Sequence, residues 1–235
     1  MFTPARRRGS EILDDPNADP ALSLRSLRDI ALANRFFGGR NAVVRTLRAV
    51  LDTRPAGGAS LTLLDIGTGL GDIPAAAERV ARARGVVLHT IGLERAPLLA
   101  GAAAARCTHG LAADAMQLPF ATGSIDIVTL SQVLHHFDGA EAERLLQECT
   151  RVARVAVIVG DLRRSWLAVA GLWVSSFALG FHPVSRHDGV LSVLRGYTRN
   201  ELQALVERAT RCPATVRRRL GFRVTAHWSP GYLAP

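Results

Sequence analysis

One glycine-rich segment constrains the fold of this chain more than any other feature. Residues 61–66 form a short apolar run, and the sequence GTGLGD follows at residues 67–72. The run predicts a buried strand that passes directly into a turn and then into a helix. Glycine permits backbone angles and close approaches that other residues disfavour. Because ligands in open α/β sheets bind at the carboxyl ends of the strands, the turn predicts a binding site.

The spacing of the glycines distinguishes this turn from the common dinucleotide-binding fingerprint. The three glycines occupy alternate positions, whereas the fingerprint would require glycine where Asp72 stands. An acidic residue, Asp65, also precedes the first glycine by two positions. The spacing therefore disfavours a nicotinamide-dependent dehydrogenase.

Apolar runs and amphipathic segments alternate along the chain from residue 61 onwards. Short apolar runs bounded by turn residues predict strands, and apolar residues at helical spacing predict helices. The predicted strands cover residues 61–66, 86–93, 124–130 and 155–159, and the predicted helices cover residues 75–85, 97–106 and 140–152. This alternation predicts an α/β fold with a parallel sheet covered by helices on both faces.

The N-terminal part has a different pattern. Residues 1–20 contain prolines and acidic turn pairs, which predict an irregular arm. Residues 21–51 carry apolar residues at helical spacing on either side of Gly38-Gly39, so two helices are predicted there. Residues 53–60 predict a linker to the first strand.

The C-terminal part contains the longest apolar stretch, residues 166–181. It is shorter than the ~20 residues that a membrane span requires, so a buried or pocket-lining helix is predicted. Peripheral membrane contact is the alternative, because arginines flank the stretch. The polar residues 182–195 predict a loop, Thr198 and Glu201 form a capping box at the start of a helix, and residues 214–228 are strand-like.

Composition limits the functional classes. The chain has 235 residues, of which 48% are hydrophobic and 21% charged, a balance that predicts one globular unit. The net charge is +9 and every cation is arginine, which permits an anionic partner without requiring one. Three widely separated cysteines predict neither a disulfide framework nor a zinc site. No metal site is predicted, and a reducing cytoplasm is the expected location.

From Leu63 to Asp161 the chain resembles the class I S-adenosylmethionine-dependent methyltransferases. LLDIGTGLGD at residues 63–72 is similar to their first motif, and FATGSIDIVTL at residues 120–130 is similar to their fourth-strand motif. Between these blocks, Glu94 falls at the end of the second strand and Asp114 lies in the segment AADAMQLPF. The resemblance implies S-adenosylmethionine as the cofactor.

The resemblance also implies an architecture. We expect a Rossmann-like, seven-stranded, mostly parallel sheet with helices on both faces. Residues 1–60 would form an N-terminal arm and helical cap over the cofactor. Residues 61–235 would form the cofactor-binding domain, with an inserted lid at about residues 162–197 after the fifth strand.

Several cofactor contacts are implied by position in the family's motifs. The glycine turn would pack under the amino-acid part of the cofactor, and Asp65 would help to anchor its ammonium group. Glu94 would bind both ribose hydroxyls, since a carboxylate accepts two hydrogen bonds. Asp114 would meet the adenine amino group. The implied cofactor-binding residues are Asp65, Gly67, Thr68, Gly69, Gly71, Glu94, Arg95, Asp114, Ala115, Met116 and Ser131.

Two further segments resemble the small-molecule branch of that superfamily. LPF at residues 118–120 and LHHF at residues 134–137 are similar to segments of ubiquinone and menaquinone methyltransferases. Residues 23–51 and 187–202 resemble bacterial natural-product methyltransferases. This branch implies methyl transfer to a hydroxyl or activated carbon of a polyketide-, quinone- or phenol-like metabolite.

Methyl transfer requires alignment of donor and acceptor and often the removal of a proton from the acceptor. His135 and His136 follow the fourth strand, and Asp161 ends the fifth. We predict His135 as the general base with Asp161 as its orienting group, and His136 as the alternative base. Loop packing is the other role open to these histidines. The residues predicted to bind the acceptor are Trp166, His187, Arg195 and Tyr197.

Two other functions remain open on the sequence. An RNA methyltransferase is suggested by the charge, although residues 131–134 lack the Pro-Pro motif of base-amine methyltransferases and the only Cys-Pro pair lies at residues 212–213. A non-catalytic partner subunit that binds the cofactor is disfavoured by the acidic residues at 65, 94 and 114. A small-molecule acceptor is therefore expected, with no nucleic-acid partner. The oligomeric state, including a homodimer, is left open.

Overall fold

The computed structural model describes residues 3–15, 19–53 and 60–231. The strands are β1 (Ser60–Ile66), β2 (Val87–Glu94), β3 (His109–Ala112), β4 (Ile125–Ser131), β5 (Ala153–Leu162), β6 (Thr215–Arg219) and β7 (Arg223–Trp228). The α-helices are α1 (Pro20–Phe36), α2 (Gly39–Asp52), α3 (Asp72–Arg82), α4 (Pro97–Ala103), α5 (Gly139–Val152), α6 (Trp166–Ala178), α7 (Pro183–Arg195) and α8 (Arg199–Thr210). Short 3₁₀ turns cover Ile12–Asp14 and Leu134–His136.

All seven strands form one sheet in the order β3-β2-β1-β4-β5-β7-β6. The five strands from β3 to β5 pair in parallel, and β7 is antiparallel to both β5 and β6. The predicted Rossmann-like, seven-stranded, mostly parallel sheet is therefore confirmed. Its central consequence is that β1, β2, β4 and β5 all end at the same edge.

Two apolar clusters lie against the sheet, as expected when both faces are covered by helices. Alternate residues of β1 divide between them: Leu64 packs with α5 and α8 in one cluster, and Leu63 packs with α2 and α3 in the other. This division follows from the two-residue period of a strand, whose successive side chains point to opposite faces.

The structure corrects one prediction about an irregular segment. Residues 182–195 were predicted as a loop, but residues 183–195 form α7, which has proline at its first position and is capped by the His182 ring nitrogen. Within the predicted irregular arm, residues 3–11 do lack regular secondary structure, and residues 3–15 dock on the domain. We call residues 3–15 the N-terminal arm; its Arg7 amide donates to the carbonyl oxygen of Leu194 at 3.1 Å.

Two further elements depart from the sequence pattern. The short strand β3 was not predicted, because its residues are mostly exposed and lack an apolar run. Of the predicted linker 53–60, residues 54–59 lie outside the described residues.

Helix α6 is only partly the buried helix that its composition predicted. Leu172 lines a cavity of the protein, but five large apolar side chains of the helix are exposed to solvent. These are Trp166, Leu167, Trp173, Val174 and Phe177. Across the described ranges, the model contains no helix with the length and apolar character needed to span a bilayer.

The β6–β7 hairpin holds the N-terminal helices against the sheet. Its turn residue Gly221 has φ +70°, and a Cβ atom there would overlap the carbonyl oxygen of Phe37, between α1 and α2. The glycine therefore permits both the turn and the close backbone approach.

We predict that Gly221→Ala destabilises the protein more than Gly180→Ala. Gly180 also has a positive φ, +65°, but nothing lies within 4 Å of a Cβ atom built there. The control should cost about 1–2 kcal/mol for the left-handed backbone. Gly221→Ala should cost about 1–3 kcal/mol more, because the added methyl group is overpacked. Urea unfolding measures both, and equal losses would contradict the close contact.

Candidate active site

A cavity of about 320 Å³ opens at the carboxyl ends of β1, β2 and β4. The glycine turn after β1 forms one end of it, and residues of α1, α6 and α7 form the other. His135 and His136 line the wall of the same cavity. One space therefore joins the turn that the sequence singled out to the histidines after β4.

The glycine turn forms the cradle at one end of the cavity. Gly67 and Gly69 have φ of +64° and +57°, and a Cβ atom on Gly67 would overlap the Val133 side chain. The amide of Gly69 donates to Oε1 of Glu94 at 2.6 Å, which ties the turn to the end of β2. The turn therefore presents backbone rather than side chains to a ligand.

Buried carboxyl groups surround this turn. Asp65 is 1% exposed and accepts a hydrogen bond from Oγ1 of Thr129 at 2.6 Å. Burial, opposed by that hydrogen bond, raises the pKa of Asp65 to about 7. Burial also raises the pKa values of Glu94 and Asp72. A positively charged ligand group at this position would favour the ionised carboxylates.

His135 and Asp161 form a buried pair beside the cavity. Nδ1 of His135 lies 2.7 Å from Oδ1 of Asp161, and the His135 amide donates to Oδ2 at 3.0 Å. Burial disfavours the imidazolium, but the charges and hydrogen bonding of Asp161 and Glu11 together outweigh burial and raise the pKa of His135 to about 9. The pair also lowers the pKa of Asp161 despite its burial. The predicted partnership of these two residues is present.

The N-terminal arm brings two more carboxylates to the histidines. Oε1 of Glu11 lies 3.7 Å from Nε2 of His135, and Oδ1 of Asp14 lies 2.8 Å from Nδ1 of His136. Burial would raise the pKa of Glu11, but the two histidines lower it. For Asp14 the histidine and Arg195 likewise outweigh burial and lower the pKa. Both arm carboxylates are therefore held in their charged form.

Arg195 fixes the arm against the histidine segment. Its guanidinium donates to the carbonyl oxygens of His135 at 3.2 Å and His136 at 2.9 Å, and to Oδ2 of Asp14 at 2.9 Å. The side chain is buried and does not line the cavity. Arg195 therefore positions the arm and the histidine segment without lining the cavity itself.

Three hydrogen-bonded polar side chains, Asn34, Gln132 and Arg223, form the cavity wall beside β4. Gln132 has φ +57°, Nη1 of Arg223 donates to its Oε1 at 2.7 Å, and its Nε2 donates to Oδ1 of Asn34. Burial lowers the pKa of Arg223 to about 10, and Asp161 opposes that shift. All three side chains line the cavity.

The structure brings about half of the predicted cofactor-binding residues to the cavity. Those that line it are Asp65, Gly67, Thr68, Gly69, Glu94 and Ser131, and those that do not are Gly71, Arg95, Asp114, Ala115 and Met116. Asp114 is exposed and accepts a hydrogen bond from the Met116 amide at 2.8 Å. The roles of all these residues in binding stay predictions.

None of the four residues predicted to bind the acceptor lines this cavity. Trp166 is half exposed, and His187 pairs with Asp188 on the other side of α7 at a second cavity. The Tyr197 hydroxyl donates to the carbonyl oxygen of Phe137 at 3.0 Å. Arg195 instead binds Asp14 and the carbonyl oxygens of the histidine segment. The α-helical side chains that do line this end are Ser26, Leu27, Ile30, Leu172, Ser185 and Ser192.

Sequence reasoning missed the arm carboxylates and the Gln132 group. Glu11 and Asp14 lie in a segment whose local pattern predicted no structure, and their partners are more than 120 positions away. The only local signal was that two carboxylates stand three residues apart. Gln132 carried no signal, because its positive φ is set by tertiary contacts.

We predict that stability falls as pH rises from 7 to 9. The pKa of His135 is raised to about 9 from about 6.5 in the unfolded chain. Its stabilisation is therefore complete below about pH 6.5 and is lost as pH approaches 9. Urea unfolding should show a loss of order 1–3 kcal/mol across this window.

His135→Gln should remove this slope, and His89→Gln, a change at an exposed histidine of β2, should keep it. The separate loss between about pH 4 and 7, where Asp65 titrates with its raised pKa, should persist in both variants. An unchanged slope between pH 7 and 9 in His135→Gln would show that another group causes it.

Comparison with known protein families gives one match, which covers the central part of the chain. Residues 64–158 match the family described as a methyltransferase domain. No protein of curated function matches the chain in sequence.

Solved structures share the fold. A protein named as a candidate O-methyltransferase from Nostoc punctiforme superposes with a TM-score of 0.64 at 17% identity, over 95% of this chain and 64% of that one. Mitomycin 7-O-methyltransferase gives 0.62 at 21% identity, over 94% and 61%. The magnesium protoporphyrin IX methyltransferase of Synechocystis, solved with bound S-adenosylmethionine, gives 0.53 at 16%, over 86% and 81%. The chain thus spans less than two thirds of the first two proteins.

Proposed function

We propose that this chain, a methyltransferase of the class I S-adenosylmethionine-dependent type, methylates a hydroxyl or an activated carbon of a small molecule. The observation that carries the proposal is the single cavity that joins the glycine turn to the His135–Asp161 pair. Donor and acceptor must meet in line for methyl transfer, and one continuous space permits that alignment.

The residues around the turn fit S-adenosylmethionine, the cofactor of this family. Gly67 and Gly69 line the cavity without side chains, and the carboxyl groups of Asp65 and Glu94 suit a positively charged amino acid. Thr68 lines the same space. When bound, the cofactor supplies a methyl group activated by its sulfonium charge.

The far end of the cavity has the character of an acceptor site. Ile30 and Leu172 give it apolar walls, and serines of α1 and α7 give it hydroxyl groups. Such a mixture suits a moderately apolar molecule with a few polar groups. Two fold neighbours are named as O-methyltransferases, which supports a hydroxyl as the methylated group.

His135 receives the acceptor's proton in this proposal. Asp161 holds Nδ1 and thereby leaves Nε2, which lies 3.7 Å from Oε1 of Glu11, as the nitrogen that accepts the proton, as an orienting carboxylate does for a catalytic histidine. His136 is the alternative base. Because the pKa of His135 is raised to about 9, this histidine mostly carries a proton at neutral pH, and only its deprotonated fraction, which grows as pH rises towards 9, can act as the base.

An RNA acceptor is the second candidate, favoured by the net charge of +9. The cavity itself argues for a small molecule, because carboxylates of Glu11, Asp14 and Asp29 line its acceptor half and would repel phosphates. RNA binding that weakens steeply with salt would support this second candidate.

We predict that S-adenosylhomocysteine binds with an affinity of about −7 to −8 kcal/mol by calorimetry, a low-to-middle micromolar Kd. Glu94→Gln should weaken binding by about 1–3 kcal/mol, because the ribose hydroxyls lose a charged acceptor. Binding to the wild type should weaken as pH falls below 7, where Asp65 becomes protonated.

Two variants complete this test. Glu143→Gln, which removes an exposed ion pair with Arg208, should bind like the wild type. Asp65→Asn should bind more weakly and lose the pH dependence. A folded protein that binds neither S-adenosylmethionine nor its demethylated product would refute the proposed function.

We predict that His135→Gln lowers turnover on the order of 10²–10⁴-fold, the range for loss of a positioned base. Turnover is measured as release of S-adenosylhomocysteine with a panel of phenols and hydroquinones. Cofactor affinity should not change, and the wild-type rate should rise with pH towards about 9, where His135 loses its proton. Near-normal turnover in both His135→Gln and His136→Gln would leave alignment alone to explain catalysis.

A further inference from the structure

We infer that Glu11, His135 and His136 form a binding site for one divalent transition-metal ion at the acceptor side of the cavity. One potential ligand atom from each residue lies within 4.8 Å of the others. All three side chains line the cavity. The residues come from two separate segments, the N-terminal arm and the 3₁₀ turn after β4, which the fold brings together.

The first observation that points to an ion is an unpartnered nitrogen. His135 is 2% exposed, and its Nε2 has no hydrogen-bond partner among the described residues. Asp161 occupies Nδ1, so Nε2 is the atom directed at Glu11. The 3.7 Å between Nε2 and Oε1 of Glu11 is too long for a hydrogen bond and suits two ligands of a shared ion.

The second observation is that both histidines carry a carboxylate on the opposite ring nitrogen. Asp161 holds Nδ1 of His135 at 2.7 Å, and Asp14 holds Nδ1 of His136 at 2.8 Å. Histidines that bind metals commonly donate their other ring N–H to a carboxylate, which fixes the tautomer and the ring direction. Two such pairs stand side by side, with ring centroids 4.3 Å apart.

The carboxylates around the cluster are distributed over both rings. Glu11 and Asp161 lie against His135, and Asp14 lies against His136. Three guanidinium groups offset their charge: Arg195 contacts Glu11 and Asp14, Arg223 interacts with Asp161, and Arg6 donates to the His135 carbonyl oxygen. The ion site therefore rests on the ligand atoms and not on an excess of negative charge.

The ligand set defines the class of ion. Two imidazole nitrogens and one carboxylate oxygen suit zinc, cobalt, nickel or iron(II) rather than magnesium or calcium, which prefer oxygen ligands. Three protein ligands leave coordination positions open. Because the cluster lines the cavity, those positions face the space where an acceptor binds.

The chemical consequence rests on the proposed function. An acceptor hydroxyl whose oxygen binds the ion has a lowered pKa, so its O–H bond breaks and the proton passes to water before methyl transfer. His135 then serves as a ligand, and the role of base proposed above applies to the ion-free protein, since its Nε2 lone pair cannot hold both the ion and the acceptor's proton. The ion would also link the arm to the sheet.

The test uses untagged protein stripped with EDTA, freed of chelator and titrated with CoCl₂. Calorimetry and the visible absorption of histidine-bound cobalt should report one ion per chain, with ZnCl₂ as a competitor. Glu11→Gln and His136→Gln should each weaken cobalt binding at least about tenfold. Asp14→Asn, which alters a partly exposed side chain, should weaken it about 10–100-fold by releasing His136.

His89→Gln is the matched control, since His89 is exposed on β2 outside the cavity, and it should bind cobalt like the wild type. Binding of S-adenosylhomocysteine verifies that each variant is folded. Asp14→Asn keeps the test decisive where a change at a buried ligand prevents folding.

The absence of saturable cobalt binding, or binding that survives the ligand and Asp14 variants, would overturn the ion site. Methyl transfer that continues in excess EDTA would overturn the role of the ion and leave the proposed function intact. Cobalt binding in a folded protein that binds neither S-adenosylmethionine nor S-adenosylhomocysteine would support the ion site and refute the proposed function.

Discussion

Parallel pairing of the central strands decides where the chemically active groups of this chain meet. Because β1 pairs in parallel with both β2 and β4, and β4 with β5, all four strands end at one edge. The glycine turn follows β1 and the histidine segment follows β4. Glu94 and Asp161 lie at the ends of β2 and β5. Reversal of any one of these strands would carry its groups to the opposite edge of the sheet.

Two buried arginines then connect the outer segments to this edge. Arg195 bridges the histidine carbonyls and Asp14, while Arg164 donates to the carbonyl oxygens of Pro4 at 2.7 Å and Gly196 at 2.6 Å. A buried guanidinium must have partners for its donors, so these contacts specify a single docked position. The site therefore depends on polar contacts as much as on apolar packing.

The sequence predicted the features that have local causes. The strands other than β3, the two N-terminal helices, the Thr198–Glu201 capping box and the cofactor turn follow from periodicity or turn chemistry within a few residues. The arm and α7 could not be predicted equally well, because their polar residues have partners that are distant in the chain. For α7, Pro183 after His182 was a start signal that the polar composition concealed. The predicted acceptor residues do not line the cavity, because the type of a residue indicates its chemistry and not the direction in which its side chain points.

The docked arm has a practical consequence for anyone who prepares this protein. The arm contributes no strand to the sheet and little to the two apolar clusters, yet it delivers Glu11 and Asp14 to the histidines. Proteolytic trimming within residues 3–15 would leave helical content and chromatographic mobility almost unaltered. Such a preparation would pass routine quality control while two carboxylates of the site were missing, so intact mass is the measurement that certifies it.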